Sequence, residues 1–317
     1  MQTLSDQTGR LLLTTEAELF STIVGTQHPF RRLNEILDFE TLIAPMRATY
    51  STMGTPGIDV ERGVKALLIQ FWENYSDREM EQAVRENLAV RWFCGFGLSE
   101  ATPDHSYFGK LRKRIGTKRV ATFFTEVNAV LESRGIIGNV FTFIDASSII
   151  TKTALWEERD RAIADGAEKL NNKNVAEYAS DHDARFGAKS KTKIWFGHKR
   201  HNASDMRYGL ITKVAVTAAN VPDFVVVKRI LPKEGTVFMD KMYDTKKTDL
   251  ILRARGLHPS TLRKNTNPEK NRDLDRWRSG IRMPFESTFS KQSKYPRAPS
   301  LVCDNSPCML DTVDMQR

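Results

Sequence analysis

The chain has 317 residues, 40% of them hydrophobic, and a formal net charge of +9 at pH 7. At roughly 150 residues per domain this amounts to about two domains, and the positive balance favours a polyanionic partner, nucleic acid first. Three cysteines (Cys94, Cys303 and Cys308) are too few and too odd in number for a secreted disulfide framework. No apolar run approaches the roughly 18 residues of a membrane span, and the segment from Met1 to Asp6 has no basic region leading into an apolar one, so a cytoplasmic protein with no membrane partner is expected.

In chain order, the first ten residues are polar and read as loose. Thr15-Glu-Ala-Glu18 is a capping box followed by the apolar Leu19, Phe20, Ile23 and Val24. Residues 30–47 read as one helix with Leu33, Ile36, Leu37 and Ile43 on a side, and residues 49–57 as a loop. Asp59 opens a helix whose Val64, Leu67, Leu68 and Phe71 recur at helical spacing. Ser76-Asp-Arg-Glu79 is a second capping box, leading into Met80, Ala83, Val84 and Leu88. Trp92, Phe93 and Phe96 are predicted core residues, with Cys94 a small buried apolar residue among them. Pro103-Asp-His-Ser106 starts a basic helix bearing Lys110, Arg112, Lys113 and Arg114. Thr117 caps the next, with Val120, Phe123, Phe124, Val127 and Leu131 inward and Gly135 ending it. The N-terminal part is thus all-helical. Its basic helix is either part of a helix-turn-helix DNA reader or a solvated face, and helix count alone leaves both readings open.

The pattern then changes. Phe141-Thr-Phe-Ile-Asp145 reads as a buried strand ending in a carboxylate. Residues 151–193 are polar and read as surface, with helical character around Leu155, Trp156, Ile163 and Leu170 and a turn over residues 181–187. Residues 193–199 and 208–217 read as two strands joined by a hairpin turn at His201-Asn-Ala-Ser-Asp205. A helix with Val225, Val226 and Ile230 follows, then a strand Thr236-Val-Phe-Met-Asp240, a helix 245–255, a short strand near 260–262 and a last helix bearing Glu286. Three strands followed by alternating helix and strand predict an α+β fold. In it an all-helical N-terminal domain over 1–137 precedes a ribonuclease-H-like mixed-sheet domain over 138–294, with an irregular tail over 295–317.

Asp145, Asp240 and Glu286 each fall where a metal site could use them. An oxygen-only ligand set suits Mg²⁺, a hard cation, with Mn²⁺ the alternative. Divalent ions serving both the attacking and the leaving oxygen suit phosphodiester transfer. Basic residues are candidates for backbone phosphates: Lys110, Arg112 and Lys113 in the helical part, Lys199, and then Arg263, Lys264, Lys270, Arg272, Arg276, Arg278 and Arg282 between the last two acids. His198 and His201 have zinc-ligand spacing, but four converging ligands are needed and Cys303 and Cys308 are poor candidates to complete them. Tyr243 has no neighbour in sequence that would activate it as a nucleophile.

Five motifs in order carry a resemblance: Phe143-Ile-Asp145-Ala-Ser, Gly197-His-Lys199, Ala219-Asn-Val-Pro-Asp223, Asp240-Lys-Met-Tyr-Asp244 and Arg282-Met-Pro-Phe-Glu286. Together with Tyr75-Ser-Asp-Arg-Glu79 and Pro103-Asp-His-Ser106 they resemble bacterial insertion-sequence transposases of the DDE class, in particular the group named for insertion sequence five. The resemblance spans residues 28–294. It implies a ribonuclease-H-like catalytic domain and Mg²⁺ dependence, with Asp145, Asp240 and Glu286 as catalytic metal ligands. It further implies binding to double-stranded DNA at terminal inverted repeats and at the target, and a nucleoid-associated location; a homodimer is left open. Two positions depart from the pattern: Met242 where the family has Gly, and Ser293, between Lys291 and Lys294, where it has Lys. After Lys294 the composition turns to Pro, Ser and Cys with no helical period, which raises the expectation of a frameshifted or truncated copy. The alternative to an active enzyme is then an inactive remnant that binds DNA and represses transposition.

Overall fold

The structure is a computed structural model and describes residues 2–5, 11–48, 50 and 57–294, with side chains described between residues 15 and 285. The chain forms two compact units parted between Val130 and Leu131. Most of the loop expected at 49–57, and the whole tail beyond 294, lie outside the described residues.

The first unit opens with a short antiparallel pair, β1 (Gln2–Ser5) and β2 (Leu11–Thr14), the first of them within the ten residues whose composition suggested loose chain. Its helices begin where side chains satisfy the free backbone donors of the first turn. At α1 (Glu16–Ile23) the Thr15 hydroxyl accepts from the Glu18 N–H at 3.3 Å while the Glu18 carboxylate accepts from the Thr15 N–H at 2.8 Å. The single helix expected over 30–47 is two, α2 (Pro29–Ile36) and α3 (Phe39–Arg47). Asp38 is the reason: its carboxylate accepts from Thr41 N–H and restarts the chain as a new helix. The α4 helix (Val60–Glu73) is capped by Asp59 and stops at Asn74, which takes a left-handed conformation with φ 56°. The Ser76–Glu79 capping box opens α5 (Asp77–Glu86), and Asn87 ends it by capping α6 (Leu88–Cys94), so Leu88 belongs to the following helix. The last element, α7 (His105–Ser133), breaks at Gly116, where φ 72° and ψ 162° leave helical space.

These helices enclose one core that includes Ile43, Ile69, Met80, Val84, Phe93, Cys94, Phe108 and Ile115. Each fully buried side chain of this size contributes about 1.5–3 kcal/mol relative to exposure. Phe30 and Phe39 meet Phe93 at ring-centroid distances of 5.0 and 5.8 Å. Burial pushes the Cys94 thiol up to about 12, so it is an inert core group, as its apolar neighbours predicted.

The second unit is built on a mixed sheet. Its elements are β3 (Phe141–Lys152), α8 (Trp156–Ala164), α9 (Val175–Tyr178), β4 (Arg185–Ala188), β5 (Ile194–Asp205), β6 (Ile211–Ala218), α10 (Asp223–Ile230), β7 (Thr236–Met239), α11 (Lys246–Ala254), β8 (His258–Thr261) and α12 (Arg272–Lys294). β3 lies antiparallel to β5 and parallel to β7, which is parallel to β8. β6 pairs with β5 along residues 198–204, and β4 continues on the same edge against residues 194–197. Antiparallel strands first, then parallel strands reached through helices, is the ribonuclease-H-like arrangement.

Two strands are longer than their sequences suggested. β5 runs straight through His201–Asp205, the stretch expected to turn, because those residues pair with β3 and, as far as Ser204, with β6 on the other side. The turn comes after it: Asp205 accepts from the backbone N–H of Arg207 and Tyr208. β3 likewise continues past Asp145 to Lys152. Part of the expected turn at 181–187 is the strand β4. One sheet face packs Ile144, Ala203 and Ala215 against Val226, Ile230 and Leu252 of α10 and α11. The other packs Phe143 and Phe238 against Ile281 and Phe285 of α12.

Candidate active site

Strand register brings two of the acids together. Phe143 pairs with Phe238 and Ile144 with Met239 in parallel register, and the pairing then stops. The next residue on each strand is an aspartate, Asp145 on β3 and Asp240 after β7, and Asp240 stays extended at φ −77° and ψ 169°. Adjacent strands lie about 4.8 Å apart, and side chains alternate between faces with period two. Asp145 therefore stands on the face of Phe143, and Asp240 on the face of Phe238. That is the face covered by α12. Each carboxylate also accepts from the next backbone N–H, Ala146 at 2.8 Å and Lys241 at 2.7 Å.

The third acid is carried by α12. Its anchor is Arg282, 5% exposed, whose guanidinium stacks over the Phe143 ring at 5.1 Å and lies 3.6 Å from the Asp240 carboxylate. Glu286 follows four residues later, one helical turn along on the same side of the helix. Its backbone is in α12, while its side chain lies outside those described. No group of three or more His, Cys, Asp or Glu side chains arranged to hold a metal occurs among the described residues, a set that leaves Glu286 out. Asp145 and Asp240 offer only hard oxygen donors, which fit a divalent cation such as Mg²⁺.

Behind the acids, on the α10 side, is a buried polar layer. Tyr243, 1% exposed, has its hydroxyl ionisation pushed well up by desolvation first and by Asp223, Asp145 and Asp240 after it. A phenol so held is no nucleophile. Lys199 Nζ donates to Val221 O and to Asp223 Oδ1, both at 2.8 Å. His201, fully buried, shares a 3.0 Å contact with Thr217 Oγ1 and is held down to about 4 by desolvation, partly offset by Asp223. His198 instead reaches Asp181 at 2.9 Å. Three residues apart on a strand, the two histidines face opposite sides of β5 and cannot share a zinc ion.

Several expected phosphate ligands are occupied inside the fold. Arg112 makes a bidentate pair with Asp77 at 2.7 and 2.8 Å and touches Gln70, which ties α7 to α4 and α5. Lys199 fixes Asp223, and Arg282 faces Asp240. Arg278, largely covered, pairs with Asp275 at 3.3 Å. In each of these the donors face a carboxylate within the fold. Lys110 and Lys113 are exposed, and Arg276, 81% exposed, pairs with the surface Asp273. Sequence reading also missed a buried brace. Arg263 binds Asp244 at 2.8 Å and Asp249 at 2.9 Å, and Asp244 also accepts from Lys264 N–H and Asn267. This fixes the chain just after Asp240. The spacing of Asp244 from Asp240 hinted at it, but nothing in the sequence names the partner.

Family models match both parts of the chain. Residues 138–297 match the family model described as a transposase DDE domain, and residues 18–114 match one described as a transposase domain (DUF772). The chain belongs to the DDE-domain transposases. In this insertion-sequence-type transposase the DDE segment begins just before β3 and runs past the end of α12, so it contains Asp145, Asp240 and Glu286. A solved structure, the piggyBac transposase synaptic complex with hairpin DNA, is similar over 86% of this chain at 11% identity and a TM-score of 0.32. This transposase spans 55% of the length of that chain. No helix among its described residues is long and apolar enough to cross a membrane.

Proposed function

We propose that this transposase cuts DNA at inverted-repeat ends and joins the freed 3′-hydroxyl strand to target DNA, with Asp145, Asp240 and Glu286 as the ligands of Mg²⁺, or of Mn²⁺ in its place. The observation that carries this reading is the shared register of Asp145 and Asp240 at the ends of paired parallel strands, beside the helix that bears Glu286. Divalent ions bound there would supply charge stabilisation to the attacking and leaving oxygens of a phosphodiester.

The protein's own groups prepare the site. Arg282 keeps a cation against Asp240, balancing a carboxylate that must sit close to Asp145. Phe143, Phe238, Ile281 and Phe285 lock α12 to the sheet and so fix where Glu286 is presented. The Arg263–Asp244 brace holds the chain leaving Asp240. Lys110, Lys113 and Arg276 serve as phosphate contacts on double-stranded DNA, a term that weakens as salt rises.

The test is Asp145→Asn. That protein should bind duplex DNA as the parent does and lose Mg²⁺-dependent nicking of a plasmid carrying the element ends. Nicking at the parental rate would remove Asp145, and the site built on it, from the mechanism.

A further inference from the structure

Several largely covered cations of the second unit face carboxylates, and others reach backbone carbonyls. Arg263 meets Asp244 and Asp249, Arg278 meets Asp275, Arg282 meets Asp240 and Lys199 meets Asp223. Lys213 donates to Leu231 O at the C-terminal end of α10. Arg200 is different. Among the described residues no carboxylate lies within ion-pair reach of it; it has one long hydrogen bond, 3.4 Å from Nη2 to Ser147 Oγ, and its Nε is buried with no acceptor. Burial holds its pKa below the ordinary arginine range. Removing a guanidinium from water without a counter-ion is costly, so an anion brought to Arg200 would be favoured there.

The register says which anion. Asp145 pairs with Asn202 and Ser147 with Arg200 across the antiparallel β3–β5 ladder. Arg200, Ser147 and Asp145 therefore share one face, the face of the acids, with Arg200 two residues along from them. Beyond Ile144 no strand among the described residues pairs with the β7 side of β3, so this stretch is open at its edge. A nucleic-acid strand with its reacting phosphodiester at Asp145 would present a neighbouring phosphate here. A planar fork of N–H donors with a hydroxyl beside it suits two non-bridging phosphate oxygens.

We infer that Arg200 and Ser147 form a phosphate subsite that grips the DNA backbone next to the reacting phosphodiester and sets the register of the strand against the acids. The inference rests on the transposase reading of the same site. Arg200 acts by positioning and takes no part in bond making or breaking.

The experiment uses the full chain and the variants Arg200→Gln, Arg200→Lys and Ser147→Ala, with Asp145→Asn alongside. Binding of a fluorescent mixed-sequence duplex is followed across a KCl series, and nicking of the plasmid is followed in Mg²⁺. Arg200→Gln should flatten the slope of log Kd against log[KCl] by about 0.9, one phosphate contact. It should also raise KM by roughly tenfold, the loss of one charged hydrogen-bond pair, with kcat little changed. Arg200→Lys should keep the salt slope and recover part of KM, since it retains the charge without the fork. A merely structural arginine would lower the melting temperature of Arg200→Gln and leave slope and KM alone, and that result overturns the subsite. If Arg200→Gln does not fold, parental KM in both Arg200→Lys and Ser147→Ala overturns it equally. The two readings separate cleanly: an inactive Asp145→Asn beside a parental Arg200→Gln removes the subsite only, whereas an active Asp145→Asn removes the catalytic assignment.

Discussion

At the scale of single residues, position in the sheet decides chemistry. Gly197 sits at φ 148°, and a Cβ there would collide with the Ile149 carbonyl and the Thr151 backbone. Gly197→Ala should therefore destabilise the catalytic unit by roughly 2–4 kcal/mol, measured by urea unfolding. The Gly of the Gly197-His-Lys199 motif was legible in the sequence; the close strand crossing that requires it was not. His201 gives a pH signature. Its folded pKa, near 4, lies below the ordinary 6.5 of the unfolded chain, so as pH falls the unfolded state takes up the proton first. The contribution of neutral His201 is complete above pH 6.5 and is lost as pH falls from 6.5 towards 4. Unfolding midpoints at pH 7.5 and 5 should differ accordingly, and His201→Gln should flatten that difference.

At the scale of elements, helix starts were readable and helix registers with their partners were not. The capping boxes at Thr15 and Ser76 need only residues three apart, and both form as expected. Ser76→Ala should cost the helical unit about 1 kcal/mol, seen as a lower melting temperature. The break at Asp38 was missed because the apolar period continues across it, so a local hydrogen bond overrode the periodic signal. Arg112 joins three helices through Asp77 and Gln70. Arg112→Ala should lower stability by roughly 1–3 kcal/mol, reduced from the fully buried case by its partial exposure, while the salt dependence of DNA binding stays unchanged. In the second unit α12 depends on apolar contacts. Phe285→Ala should slow nicking more than it weakens DNA binding, because it loosens the helix that carries Glu286 from Phe143 and Phe238.

At the scale of the whole molecule, a net charge of +9 favours a polyanionic partner, which under the proposed function is DNA held in a salt-dependent way. Where that charge is available is a tertiary matter. Arg112, Lys199, Arg278 and Arg282 balance internal acids, while Lys110, Lys113 and Arg276 remain outward. Charge reversal at Lys110 and Lys113 together should weaken duplex binding and reduce its salt slope with little change in melting temperature. If the slope is unaltered, the exposed face of the helical unit is not a phosphate contact.

The sequence by itself determined several helix starts and their caps, the change from a helical to a mixed strand-and-helix pattern, and the chemical type of the candidate ligands. These follow from interactions a few residues long or from patterns of period 2 and 3.6. Only the tertiary structure decided that β5 runs through a stretch written like a turn, that Asp145 and Asp240 end in step, and which arginines have partners. Strand register and the choice of counter-ion are contacts between distant segments, fixed by which faces are buried together, and no local pattern encodes them.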